Sequence, residues 1–253
     1  MRKRIVLKIG SNTLTKETDQ ISRGKIEDIG RQLAQLKEHY EFIIVSSGAI
    51  AAAKQFVKLE HTGQAIDVKQ ALAAIGQPRL MHIFAENFRE LGLFTSQCLF
   101  SYSDLENEAS RANIRNTINV LLANEVIPVI NENDTVATDE IKFGDNDKLA
   151  ALTAAFIQAD LLLIATNTDG IYTKASMDKG APETIAAVES IAELTQEIDI
   201  GKSSHGTGGL SSKIEAATIA KEAGIETWIV NGLNDNFICN AFEGKTAYTK
   251  ITI

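Results

Sequence analysis

The sequence predicts an α/β fold in which helices cover a mostly parallel β-sheet. Short apolar segments typical of buried strands alternate along the chain with longer segments whose apolar residues recur at helical spacing. Several apolar segments run directly into polar or glycine-containing turns, and α/β folds bind their ligands at such strand ends. The chain has 253 residues, of which 44% are hydrophobic, and this is ample for a buried core.

The strands are predicted wherever a short apolar run enters a turn. The first covers residues 4–9, and Pro128 in a later strand predicts a position near a strand end or sheet edge. The other predicted strands are residues 42–45, 94–100, 126–130, 161–165 and 227–230, a minor strand at 183–188 and an edge strand at 249–253.

The helices follow from apolar spacing. Ile26, Ile29 and Leu33 begin a pattern that predicts an amphipathic helix over residues 22–38. Residues 67–91 are also helical in pattern, but Gly76 and Pro78 predict a break into two pieces. Further helices are predicted over residues 107–124, over residues 147–156, and in the alanine-rich segment that follows Lys213.

The composition excludes several classes of protein. A formal net charge of -8 argues against a broad electrostatic hold on nucleic acid, which needs a basic surface. Cys98 and Cys239 lie far apart, so we expect reduced thiols rather than a disulfide framework or a zinc site. The apolar run near the start is too short for a signal peptide, and no stretch approaches the ~20 apolar residues of a membrane span. We therefore expect a cytoplasmic protein.

Residues 206–213 form the most distinctive turn of the chain. Three glycines, three hydroxyl residues and Lys213 precede a good helix former, a combination that suits a polyphosphate. Ser212 breaks the Walker A pattern and Ser211 breaks the dinucleotide fingerprint. A plain flexible loop is the alternative reading of such a stretch.

Four other strand ends carry polar turns. Lys8 precedes Gly10 and Ser11, and a solvent-facing lysine is the alternative to an anion site there. Ser47 and Gly48 open a helix, where a serine cap is the alternative. The other two are residues 131–135 and 166–170, and a further polar segment, residues 139–148, leads into the helix predicted from residue 147. In a parallel sheet these turns converge, which predicts one site for a small zwitterion and a phosphate.

The residues in these turns favour phosphoryl transfer over hydrolysis. The sequence offers lysines, aspartates and asparagines, but no Ser/His/Asp or Cys/His arrangement for a protein nucleophile. The acidic residues of segment 139–148 lack the pattern of a calcium loop. Asp145 or Asp147 could alternatively cap the helix that follows this segment. A carboxylate acceptor would need no general base, because it is already ionised at neutral pH.

Five motifs together resemble the glutamate 5-kinases of the amino acid kinase superfamily. They are residues 6–11 (VLKIGS), 45–51 (VSSGAIA), 128–134 (PVINEND), 141–147 (IKFGDND) and 206–213 (GTGGLSSK). Each motif alone is loose, but five in order with compatible spacing are specific. The resemblance implies a three-layer sandwich and one amino acid kinase domain over residues 1–253. Its glutamate-binding lobe would cover about residues 1–158 and its nucleotide-binding lobe about residues 159–253.

The resemblance also implies ATP-dependent, magnesium-requiring phosphorylation of the L-glutamate side chain, the first step of proline biosynthesis. Lys8 and Lys213 match the lysines that neutralise the transferring phosphoryl group, and Asp147 matches the aspartate that holds them. The residues that match glutamate-binding positions are Ser47, Gly48, Asp134 and Asn146. Those that match the nucleotide site are Lys8, Gly10, Ser11, Thr166, Asn167, Thr207, Gly208, Gly209, Leu210, Ser211, Ser212 and Lys213. No residue is assigned as a metal ligand.

The sequence departs from the family at two places. Asn167 replaces the usual aspartate of the nucleotide site. Many relatives carry a further domain of the PUA class, and here we expect only the kinase portion. The resemblance further implies a homo-oligomer, a dimer or tetramer, and feedback by proline. Other readings are a kinase acting on acetylglutamate, carbamate or a nucleoside monophosphate, or a noncatalytic sensor of an amino acid and a nucleotide.

Overall fold

A mostly parallel eight-stranded sheet forms the centre of the computed structural model, which describes residues 2–59, 65–137, 146–198 and 209–253. The sheet order is β3-β4-β2-β1-β5-β7-β8-β6, and every pairing is parallel except the antiparallel pair β7–β8. The strands are β1 (Lys3–Ile9), β2 (Tyr40–Ser46), β3 (Phe94–Phe100), β4 (Val126–Glu132), β5 (Leu161–Thr166), β6 (Ala187–Val188), β7 (Glu226–Asn231) and β8 (Tyr248–Ile251).

Helices connect these strands and cover both faces of the sheet. They are α1 (Ser11–Thr15), α2 (Arg23–Leu36), α3 (Ala49–Lys54), α4 (Ala65–Arg89), α5 (Tyr102–Glu106), α6 (Glu108–Ala123), α7 (Asp147–Ile157), α8 (Lys174–Asp178), α9 (Ile191–Glu197), α10 (Leu210–Glu222) and α11 (Phe237–Phe242). The side chain of Ser22 caps α2 by accepting a hydrogen bond from the Lys25 backbone N–H, so the predicted start of that helix is confirmed to within one residue.

The alternation of side chains along each strand builds two separate hydrophobic cores. Ile5 and Leu7 of β1 face a core completed by α1, α2, α4 and α11. Val6 of the same strand faces a second core, completed chiefly by α6, α7 and α10. Successive residues of a strand point to opposite faces, so a fully apolar strand is one that is covered on both sides. The three-layer sandwich is therefore confirmed.

The predicted break in the fourth helix is wrong, because α4 runs without interruption from Ala65 to Arg89 with Pro78 inside it. Gly76 explains why packing overrides the local signals. A Cβ at Gly76 would lie 1.8 Å from the Ala49 carbonyl oxygen, so this glycine lets α4 press directly onto α3. Proline removes one intrahelical hydrogen bond, and the tertiary contacts of α4 outweigh that loss.

Two details of the predicted sheet also change. The last strand is not at the edge, because β8 lies between β7 and the two-residue strand β6. Pro128 is in β4, an interior strand, but pairing of β4 with β2 begins only at Val129. The proline therefore lies near the strand end where no hydrogen bond to β2 is required, as its missing N–H demands.

The described residues include no helix that combines the length and the apolar character needed to cross a bilayer. Both cysteines are free thiols, and Cys239 is buried. His82 is half exposed and pairs with Glu86 one helical turn away, so it belongs to the surface of α4.

Candidate active site

The candidate site lies at the point in the sheet where the order of the strands reverses. From β1 the chain proceeds to β2 on one side, while β5 pairs with β1 on the other, so the carboxyl ends of β1 and β5 flank a topological switch point. Lys8 is the penultimate residue of β1, and the residue is only 4% exposed. Strand β1 therefore places a buried ammonium group at the edge of the sheet where α/β folds bind ligands.

Three charged residues from distant parts of the chain form a clamp at this point. Asp147 is the first residue of α7 and is fully buried. Its Oδ1 lies 2.5 Å from Lys8 Nζ, and its Oδ2 lies 3.1 Å from Lys213 Nζ. Two ammonium groups around one carboxylate place positive charges together at the strand ends, which suits the binding of an anion.

The third member, Lys213, comes from the first turn of α10. The backbone of Gly209 caps this helix, and Ser212 Oγ donates to Asp147 Oδ2 at 3.0 Å. The N-terminus of a 13-residue helix carries unpaired N–H groups and a positive dipole end. Lys213, Ser212 and the helix end therefore present positive charge and donors together at one place.

The turn after β2 lies directly beside the turn after β1. The Ser47 backbone N–H donates to the Ile9 carbonyl oxygen at 3.1 Å, which fixes the two strand ends relative to each other. Gly48 has φ of 107°, a conformation that disfavours residues with a Cβ, and it sends the chain into α3. The predicted role of Gly48 as the residue that makes this turn thus has a backbone reason.

A cleft of about 360 Å³ opens at these turns. Ser47, Gly48 and Asp134 of the predicted glutamate site line it, together with Ser11 of the predicted nucleotide site, whereas Asn146 is not among its lining residues. Its other lining residues are Asn12, Thr15, Thr18, Asp19, Ala49, Ile50, Ala51, Lys54 and Lys69. Its volume falls within the range of small-molecule sites.

Two exposed lysines at this cleft were missed by the sequence reasoning. Lys54 is the last residue of α3, and Lys69 belongs to the first turns of α4. No sequence motif marks either residue. The close contact of α4 with α3 at Gly76 brings these two helices together beside the cleft, and a glycine at that position instead predicts a helix break.

Three of the predicted glutamate-binding side chains each carry one buried polar atom that has no hydrogen-bond partner among the described residues. These atoms are Ser47 Oγ, Asp134 Oδ1 and Asn146 Oδ1. A buried polar atom without a partner is costly, and such atoms in a native fold call for a ligand, a water or an ion. Asp134 Oδ1 and Asn146 Oδ1 are acceptors, so a cationic donor would satisfy both.

The pKa of Asp134 is raised to about 7. The main cause is burial, which disfavours the charged carboxylate, and the neighbouring charge of Glu132 adds to it. Gln70 Nε2 donates to the Asp134 carbonyl oxygen at 2.9 Å and so holds the backbone of this residue to α4. A positively charged ligand would favour the ionised form of Asp134.

The remaining predicted nucleotide residues lie on the β5 side of the clamp. The Thr166 carbonyl oxygen accepts from the Gly232 backbone N–H at 2.7 Å, which joins the ends of β5 and β7. Asn167 Nδ2 donates to Glu17 Oε1 at 3.1 Å at an exposed position. Gly10 adjoins Lys8, since a Cβ at Gly10 would lie 3.5 Å from Lys8 Nζ. Thr207 and Gly208, and the polar residues 138–145, lie outside the described residues.

Within the described ranges, no group of three or more His, Cys, Asp or Glu side chains is arranged to hold a metal ion. The carboxylate at the centre of the clamp is engaged by two lysines. A divalent cation would therefore fit here only together with an anionic ligand that brings oxygen atoms of its own.

Comparison with known proteins identifies close relatives. The model of the amino acid kinase family matches residues 3–231. A glutamate 5-kinase of Dehalococcoides mccartyi is 41% identical over 253 residues, a match that covers 98% of this chain and 68% of that protein. A glutamate 5-kinase of Alkaliphilus metalliredigens is 39% identical, with 98% of this chain and 94% of that protein covered.

Solved structures with the same fold are more distant in sequence. A UMP kinase from Ureaplasma parvum superposes with a TM-score of 0.66 at 19% identity, and the match covers 100% of both chains. A carbamate kinase from Giardia lamblia bound to AMP-PNP gives a TM-score of 0.69 at 16% identity, covering 99% of this chain and 98% of that one. At these identities the likeness establishes the fold alone.

Proposed function

The chain belongs to the amino acid kinase family and, within it, to the glutamate 5-kinases, and we propose that it transfers the γ-phosphoryl group of ATP to the side-chain carboxylate of L-glutamate. This reaction is the first step of proline biosynthesis. The observation that carries the proposal is the clamp, in which Lys8 of β1 and Lys213 of α10 meet on the buried carboxylate of Asp147.

The clamp supplies positive charge for the transferring phosphoryl group, and the reaction requires no general base. A glutamate carboxylate oxygen attacks the γ-phosphorus, the new O–P bond forms, and the bond from phosphorus to the ADP oxygen breaks. The nucleophile is ionised at neutral pH, so no residue has to remove a proton. Lys8 and Lys213 neutralise charge on the transferring group, while Asp147 holds both ammonium groups in place.

The cleft is suited to the amino acid end of glutamate. Asp134 Oδ1 and Asn146 Oδ1 offer buried acceptors for the α-ammonium group, and Ser47 Oγ offers a donor for a carboxylate. Lys54 and Lys69 add positive charge to the same cleft and would attract the dicarboxylate substrate. We assign this side, about residues 1–158, as the glutamate-binding lobe.

The nucleotide is assigned to the side that carries α10, about residues 159–253 together with Gly10 and Ser11 of the β1 turn. The N-terminus of α10 and Ser212 would receive the phosphates, with Thr166 and Asn167 at the end of β5. Mg²⁺ would be held by the phosphate oxygens of ATP. It would supply further neutralisation of phosphate charge when bound.

Incubation with ATP, Mg²⁺, L-glutamate and hydroxylamine is expected to yield γ-glutamyl hydroxamate. The acyl phosphate product reacts with hydroxylamine, so the hydroxamate reports the transfer itself and can be measured by its colour with ferric iron. The control replaces glutamate by N-acetylglutamate, in which the α-nitrogen no longer carries the positive charge that would balance the Asp134 carboxylate. Product from acetylglutamate, with none above background from glutamate, would contradict the assignment.

The KM for glutamate is expected to rise as the pH falls through about 7. Protonation of Asp134 then removes the negative charge that balances the α-ammonium group. An Asp134→Asn variant should raise this KM roughly tenfold at pH 8 and remove the pH dependence. Asp160→Asn, at the amino end of β5, is the control. A variant with unchanged KM and pH profile would rule out Asp134 as a ligand.

The Asp134→Asn substitution should also change how the free energy of unfolding depends on pH. Folding raises the pKa of Asp134 from 3.8 to about 7, so the folded chain binds more protons than the unfolded chain between these pH values. The group therefore lowers the free energy of unfolding as the pH rises through this window. Asp134→Asn should remove that loss, which urea unfolding at pH 5 and pH 8 will measure.

Inhibition by proline and assembly into a dimer or tetramer stay predictions of the family resemblance.

A further inference from the structure

A line of carboxamide side chains leads from the cleft to the far edge strand of the sheet. Asn146 Nδ2 donates to Asn131 Oδ1 at 2.7 Å, and Asn131 Nδ2 donates to Gln77 Oε1 at 3.0 Å. Gln77 Nε2 then donates to Gln97 Oε1 at 3.2 Å. We call these four residues the amide relay. It joins the start of α7 to β4, to the interior of α4, and to β3.

Two backbone groups favour one direction for the bonds of the relay. The Ser46 carbonyl oxygen can only accept, and it receives Asn146 Nδ2 at 3.2 Å. The Glu132 backbone N–H can only donate, and it donates to Asn131 Oδ1 at 2.9 Å. Asn131 then points its NH₂ group toward Gln77, and the Gln77 carbonyl oxygen is the side-chain acceptor that holds this orientation.

The consequence of this direction appears at Asn146. Its NH₂ group is committed to Ser46 and Asn131, so its Oδ1 is the atom left over, buried and without a partner among the described residues. If the amide turned over, an NH₂ group would take the place of Oδ1 and repel a cation. The orientation of one buried amide therefore decides whether this position attracts or rejects an α-ammonium group.

We propose that Gln77 is a positioning residue for substrate selection, which acts through Asn131 to hold the Asn146 carbonyl oxygen toward the α-ammonium group of glutamate. The inference rests on the proposed function and deepens it. Gln77 itself is buried in α4 and makes its contacts to Asn131 and Gln97 rather than to the phosphoryl clamp. It should influence which acid is phosphorylated, and leave the transfer step unchanged.

The test compares L-glutamate with glutarate, the same dicarboxylate without the ammonium group, in the hydroxamate assay with full-length enzyme. Gln77→Met keeps the volume but removes the acceptor for Asn131 Nδ2. We expect it to lower the glutamate-to-glutarate ratio of kcat/KM roughly tenfold, through KM for glutamate. Gln77→Glu keeps an acceptor for Asn131 and should restore most of the ratio.

The matched control is Gln32→Met. Gln32 is a second buried glutamine, and its Oε1 accepts from the Ile238 backbone N–H at 2.6 Å on the opposite layer of the fold. Its loss should lower the melting temperature without moving the substrate ratio. If Gln77→Met does not fold, Gln97→Leu at the exposed outer end of the relay is the second variant, with an expected drop of about threefold.

The outcomes separate the two proposals. A wild-type enzyme that gives no hydroxamate from glutamate would overturn both the function and the relay. An active wild type whose ratio is unchanged in Gln77→Met would overturn the relay alone, as would equal losses for glutamate and glutarate. A lowered ratio that Gln77→Glu restores, with Gln32→Met unaffected, supports the relay.

Discussion

Replacement of Lys213 by alanine is expected to lower kcat by roughly a hundredfold to a thousandfold and to leave the affinity for glutamate almost unchanged. Lys213 Nζ lies 3.1 Å from Asp147 Oδ2 at the start of α10, beside Ser212. Its charge is needed where negative charge accumulates during phosphoryl transfer, and the glutamate cleft is lined by other residues. Rates from the hydroxamate assay and glutamate binding measured by calorimetry will test this.

Lys221→Ala provides the matched control for this substitution. Lys221 lies on the same helix two turns later, and its Nζ donates to the Thr252 carbonyl oxygen at 2.6 Å, away from the clamp. This variant should retain nearly full kcat. A loss of glutamate affinity as large as the loss of kcat in Lys213→Ala would show that Lys213 holds the acid rather than the phosphoryl group.

The convergence of the site could be predicted from the sequence because it depends on local signals. Lys8, Ser47 and Asn131 each lie at the end of an apolar run, and parallel strands bring such ends to one edge of a sheet. The mostly parallel sheet that this argument requires is confirmed. The two cores follow from the same strands, since fully apolar strands need cover on both faces.

The contacts within the site could not be predicted in this way. Lys8, Asp147 and Lys213 meet only after the chain has formed β1, α7 and α10, and no local pattern records that meeting. The role of Asp147 is implied by the family resemblance, and without that resemblance the alternative of a helix-capping residue stays open. The amide relay could not be predicted from the sequence either, because Gln77 is one polar residue in an otherwise ordinary helical pattern.

The burial of two polar residues of α2 could not be predicted from the sequence either. The apolar spacing of Ile26, Ile29 and Leu33 predicted the helix correctly, but Lys25 and Gln32 are also buried. Their partners are Asp28 on the same helix and backbone groups about 200 residues later, including the Asn234 carbonyl oxygen at 2.6 Å from Lys25 Nζ. A periodicity analysis assigns such residues to the solvent face, since it cannot see the chain that returns to cover them.

Asp147→Asn is expected to reduce both stability and turnover, because it removes the negative charge between two buried ammonium groups. Loss of one partner from a buried ion pair destabilises a fold by about 3 kcal/mol, which urea unfolding will measure. Turnover should fall roughly a hundredfold, since Lys8 and Lys213 would no longer be held at a common point.

A matched pair elsewhere in the fold separates the two effects of this substitution. Asp28 pairs with the buried Lys25 at 3.1 Å in the opposite layer, so Asp28→Asn should cost comparable stability with little change in kcat. Within the clamp, the double variant Asp147→Asn with Lys213→Met should lose less than the product of the single losses, because each single change already disrupts the same arrangement. Strictly multiplicative losses in kcat would mean that Asp147 does not act through Lys213, and would return Asp147 to the role of a helix-capping residue.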